Sequence, residues 1–128
     1  MTNPLATATA NGVSIWLDDL SRERIESGNL KHLIENYSVR GVTTNPSIFA
    51  AALKDPFYSK ALAAEAAKGS DALQAIVNIT STDVAAACDI FRGIYDSSNG
   101  VDGRVSIEVE PGLAFDTEAT IAQALELY

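Results

Sequence analysis

The chain has 128 residues, 47% apolar and 20% charged, which suits one globular domain with a core of ordinary size. Its longest apolar runs, such as residues 49–53, fall far short of the ~20 residues a membrane-spanning helix needs. Nine basic residues against seventeen acidic ones give a net charge of −8, which argues against a nucleic-acid surface or an anionic membrane partner.

Residues 1–12 hold Thr, Asn, Ala and Gly without a period and predict a loose, flexible leader. They have neither the basic nor the apolar stretch of a secretory signal. Cys88 is the one cysteine, so no intrachain disulfide forms and no cysteine set for zinc exists. Both features point to the reducing cytoplasm. Cys88 itself reads as a small buried helix residue.

Val13-Ser14-Ile15-Trp16-Leu17 is rich in β-formers and predicts the first strand. Ser21 can cap the helix after it, whose apolar stripe of Ile25, Leu30, Leu33 and Ile34 is interrupted near Gly28. Arg22 and Arg24, beside Glu23 and Glu26, read as a solvated helix face. Residues 39–44 predict the second strand, and Asn45-Pro46 then opens a helix carrying Ile48, Phe49, Ala52 and Leu53. Asp55-Pro56 punctuates, and an alanine-rich helix follows to about Lys68, with Glu65 and Lys68 on its solvated side. Residues 71–79 predict another helix. Thr80-Ser81-Thr82-Asp83 resembles a capping box that starts a further one, with Val84, Ala87, Cys88, Phe91 and Tyr95 on one side. After a loop at residues 97–100, residues 105–110 predict the third strand, ended by Pro111-Gly112. Asp116 and Glu118 favour a last helix start. Ile121, Leu125 and Tyr128 carry that helix's stripe.

Strands separated by helices imply an α/β fold with parallel strands. Ligand sites of such folds collect at the carboxyl ends of the strands. Side chains alternate along a strand. Ser14, Trp16 and Asp18 therefore share a face with Gly41, Thr43 and Asn45, and with Ser106, Glu108 and Glu110. The opposite parity is aliphatic in the first and third strands. Parallel sheets are normally covered on both faces, so a polar face suggests a pocket. Two carboxylates and an amide there suit proton transfer beside hydroxyl groups. Asp19 has the opposite parity and reads as a helix cap. His32 reads as a surface or helix-packing residue. No glycine-rich phosphate loop occurs.

The blocks around Trp16-Leu17-Asp18-Asp19, Thr43-Thr44-Asn45-Pro46-Ser47 and Ser106-Ile107-Glu108-Val109 closely resemble the transaldolases, in particular the bacterial branch. The resemblance runs from Val13 to Tyr128. It implies a (β/α)8 barrel of the TIM type, here its first three β/α units, with residues 13–128 as the N-terminal part of the barrel domain. It implies a Schiff-base enzyme that moves a dihydroxyacetone unit between sugar phosphates in the pentose phosphate pathway. The donor would be sedoheptulose 7-phosphate and the acceptor glyceraldehyde 3-phosphate, giving erythrose 4-phosphate and fructose 6-phosphate. No metal and no organic cofactor are implied. Asp18 matches the aspartate that handles the donor hydroxyl proton. Asn45 matches the asparagine that binds donor hydroxyls, and Glu108 the glutamate that activates a proton-relaying water. Thr43, Thr44 and Ser47 would shape the site.

One departure stands out. The family's Schiff-base lysine lies on the fourth strand, and this sequence stops short of one. Lys31, Lys54, Lys60 and Lys68 all fall in polar or helical settings, whereas a Schiff-base lysine needs a desolvated pocket. The chain alone is therefore expected to be inactive, with open sheet edges that invite self-association. Two other functions remain open: a non-catalytic half-barrel that binds or assembles, and a receiver-type signalling domain built on the Asp18-Asp19 pair. The second lacks a phospho-accepting Asp after the third strand and a suitable later Lys.

Overall fold

A computed structural model describes residues 3–45 and 53–128. Within the stretch expected to be a loose leader, Pro4–Ala10 forms helix α1, with Asn3 as its cap and Pro at its first position. Strand β1 (Ile15–Leu17) leads into α2 (Arg22–Glu26) and α3 (Asn29–Tyr37). Ser21 caps α2 by accepting from the Arg24 amide at 3.3 Å. Gly28 separates the two helices at φ 77°, a conformation that costs glycine least. Strand β2 (Val39–Val42) follows.

Asp55 caps a short 3-10 turn, Pro56–Tyr58, which runs into α4 (Ser59–Lys68). The helix expected from Asn45-Pro46 lies almost wholly outside the described residues.

Helix α5 (Ala72–Ser97) is continuous over 26 residues, so the expected break at residues 80–83 does not occur. The hydroxyl of Thr80 donates back to Ile76 O at 2.9 Å, and that of Thr82 to Asn78 O at 2.8 Å. Both side chains stay inside the helix instead of capping a new one. Strand β3 (Arg104–Val105) is far shorter than the expected residues 105–110. Its ladder stops where Ser106 N donates to Val42 O. Beyond that, the Thr44 hydroxyl, not a strand amide, satisfies Ser106 O at 2.7 Å. A 3-10 turn, Pro111–Leu113, and α6 (Thr117–Leu127), capped by Asp116, complete the chain.

The three strands form one parallel sheet in the order β1-β2-β3, with Leu17 opposite Val42 and Val42 opposite Val105. The main core cluster packs against this sheet. Leu20, Leu30, Val39, Val42, Ala87 and Phe91 are buried there, with Leu17, Ile25, Val84, Ile94 and Val105 packed around them. Leu17 and Val105 carry the aliphatic parity into it, whereas Val39 joins it beside the register shift between Ile15 and Trp16. On the opposite face Trp16 lies across Gly41 so closely that a Cβ at Gly41 would meet the indole at 2.6 Å. That face is open, and Trp16 is 39% exposed. The α6 stripe is also uncovered, since Ile121, Leu125 and Tyr128 are exposed.

Glu65 corrects another expectation. It is 5% exposed rather than solvated, and it joins α4 to α5. Lys68 donates to it at 2.5 Å, and Ser70 and Asn78 each at 2.8 Å. These donors, led by Lys68, hold its carboxyl down to about 2 from an ordinary 4.5. A pKa lowered by folding stabilises above the unfolded value, and that stability is lost as pH falls through the folded one. We expect the urea midpoint to fall between pH 4.5 and 2, with part of that slope absent in Glu65→Gln. The variant should also be less stable at neutral pH. An unchanged pH slope would contradict this assignment.

Candidate active site

Each strand delivers its polar residues just past its carboxyl end. Asp18 follows β1, and its exposed carboxylate accepts from the Thr43 hydroxyl at 2.6 Å. The backbone keeps those two in step, because Thr43 N donates to Leu17 O at 2.9 Å. Asp19 points elsewhere and is no helix cap. Arg24 holds it with Nε at 2.9 Å and Nη2 at 2.5 Å. Of the acidic pair, only Asp18 therefore faces the strand ends.

Thr44 is fully buried and spends its hydroxyl on Ser106 O. It ties the end of β2 to the end of β3. Asn45 is half-buried and Glu108 exposed. Both line a cavity of about 70 Å³, with Thr44, Glu110 and Gln123 beside them and Leu73, Ile76 and Leu127 as apolar walls. Gln123 on α6 accepts from the Glu110 amide at 2.5 Å and so fixes the segment after β3. The cavity has room for a few waters, whereas small-ligand pockets take roughly 300 Å³ or more. Asp18 does not line the cavity, so the geometry makes two groups, Asp18 with Thr43 and Asn45 with Glu108. Thr43-Thr44-Asn45 links them. Ser47 lies outside the described residues.

No lysine stands at these strand ends. Lys31 is exposed on α3 near Glu35, Lys54 and Lys60 are exposed, and Lys68 pairs with Glu65. Among the described residues no three His, Cys, Asp or Glu side chains gather as a metal site would require. No described helix is long and apolar enough to cross a membrane. Cys88 is half-buried on α5, and burial pushes its thiol above the ordinary value, helped by Asp89 and opposed by Arg92.

A buried cluster behind the Asp18 segment escaped the sequence reading. Arg22 is not on a solvated face. Its Nε and Nη2 donate to Asp83 Oδ1 at 2.9 and 2.7 Å, and its guanidinium lies 4.9 Å from the centre of the Tyr58 ring. Tyr58 Oη accepts from the Arg22 amide at 2.8 Å. Burial raises the Tyr58 phenol well above its usual range, and the neighbouring Asp83 carboxylate pushes the same way. A signal was present: Ile79, Asp83, Ala87 and Phe91 recur every four residues on the buried side of α5.

A family model described as transaldolase/fructose-6-phosphate aldolase matches residues 15–128. Over 129 residues the chain is 49% identical to a protein named transaldolase from Frankia alni, covering all of this chain and 35% of that one. It is 56% identical to one from Mycolicibacterium smegmatis and 55% to one from Mycobacterium tuberculosis, each over 98% of this chain and 34% of the relative. The chain thus spans about a third of the length of these relatives. Its parallel β/α units are part of the TIM-type barrel of that family. A receiver-type domain is set aside by the same match. The parallel sheet, the strand-end residues and a match that begins with β1 and runs to Tyr128 agree: the chain belongs to the transaldolase/fructose-6-phosphate aldolase family.

Proposed function

We propose that the chain supplies the N-terminal part of a transaldolase active site. The reaction transfers a dihydroxyacetone unit between sugar phosphates through a Schiff base, as in the cytoplasmic pentose phosphate pathway. One observation carries the proposal: Asp18, Thr43, Asn45 and Glu108 follow the same ends of three parallel strands. In this role Asp18 takes the donor hydroxyl proton as the carbon–carbon bond breaks. Thr43 holds that carboxylate in place. Asn45 orients donor hydroxyls by donating and accepting. Glu108 activates the water that relays protons as the Schiff base forms. The amine that forms it must be desolvated to be nucleophilic. None of the four lysines here meets that need, so the proposal places it outside these residues. An isolated chain keeps β1 and β3 as sheet edges, and self-association through them belongs to the same proposal.

Borohydride trapping tests this. A chimera is made in which the chain replaces the matching third of the M. tuberculosis relative. With fructose 6-phosphate and borohydride, the chimera should gain the mass of one reduced three-carbon unit on a lysine. The 128-residue chain alone should gain nothing. A folded chimera without an adduct would sink the assignment, and an adduct on the isolated chain would sink its lysine part.

A further inference from the structure

We infer that Arg22, Tyr58 and Asp83 are positioning residues for Asp18. The inference leans on the proposed function only for what Asp18 does once positioned. Asp18 lies four residues before Arg22, and the segment between them is held from three directions. Leu20 is sunk in the core, Asp19 is taken by Arg24, and Arg22 is taken by Tyr58 and Asp83. The first amide of a helix ordinarily meets water or a neighbouring cap. Here the Arg22 amide meets a phenol 36 residues away. Tyr58 is 1% exposed and Asp83 3%, so their geometry is fixed by packing.

Stabilisation alone does not account for this arrangement. Asp83 Oδ2 is buried without a hydrogen-bond partner among the described residues, although Oδ1 accepts twice. Such an orphan is costly, and apolar side chains of the same size would fill the space at least as favourably. What the ionic fork adds is direction. It sets how far α2, and with it the Asp18 segment, sits from α5. Added to the backbone bond between Thr43 N and Leu17 O, that distance sets where the Asp18 carboxylate meets the Thr43 hydroxyl.

The test is amide hydrogen exchange, followed by NMR on the 128-residue chain. Tyr58→Phe keeps the ring and removes the acceptor of the Arg22 amide. Glu65→Gln, remote from the strand ends, is the destabilised control. Tyr58→Phe should speed exchange at Asp18, Asp19 and Leu20 by about fivefold to tenfold beyond any global change, the effect of losing one buried hydrogen bond. It should also move the Thr43 resonances, a signature of the Asp18 contact that the control leaves unchanged. Arg22→Lys keeps the charge but loses the two-pronged contact with Asp83. It should act in the same direction, and it serves if Tyr58→Phe does not fold. Exchange that rises only in step with global unfolding, or unmoved Thr43 resonances, would overturn the inference. No substrate enters this experiment, so its failure and a failed borohydride test are separate results.

Discussion

Replacing Asp83 with alanine is expected to cost the fold about 3–5 kcal/mol, the usual loss when one partner of a buried ion pair is removed. The cause is the Arg22 guanidinium. It lies among Tyr58, Asp83 and the base of α2, with its side chain largely out of water. Without the carboxylate its charge has no partner there. Small domains hold only about 5–15 kcal/mol in total, so the variant should sit near the edge of folding. Arg22→Ala should cost a similar amount by stranding the carboxylate. Changing both residues to apolar ones of like size, Arg22→Met with Asp83→Leu, should cost far less than the two losses added. Urea unfolding followed by circular dichroism measures all of these. A loss below about 1 kcal/mol for Asp83→Ala, the value for an exposed pair, would mean that water reaches the cluster.

The second large effect concerns chemistry. In the trapping chimera, Asp18→Asn and Glu108→Gln should each lower kcat/KM by about 10²- to 10⁴-fold, the usual contribution of a positioned acid or base. Stability should barely change, because both side chains are exposed. Asparagine can still accept from the Thr43 hydroxyl, so Asp18→Asn isolates the proton from the contact. Activity within about twofold of the parent, far inside the range for acid–base catalysis, would remove the residue from the mechanism.

Much of the architecture was legible because it is local. Ser21, Asp55, Asp71 and Asp116 each cap the helix that follows, and a cap is read from a few neighbouring residues. Alternation along β1 set Ile15 and Leu17 apart from Trp16 and Asp18 in the same way. What failed depended on distant partners. Thr80 and Thr82 look like a helix start, and only their back-bonds to residues 76 and 78 show otherwise. The length of β3 depends on what it pairs with, which its own residues do not encode. Glu65 and Arg22 look solvated until Asn78 and Asp83 arrive from other elements. The stripe of Ile121 and Leu125 showed that α6 has an apolar side, but periodicity does not say what covers it.

The placing of Trp16 gives the molecule a built-in lamp. It is the single tryptophan of the chain, stands two residues before Asp18 on the same face, and spans Gly41 while its Nε1–H donates to Ser14 Oγ at 3.2 Å. Intrinsic fluorescence excited at the indole band therefore comes from one spot beside the candidate chemistry. Whatever settles on that face dries the indole and shifts its colour, with no label to attach.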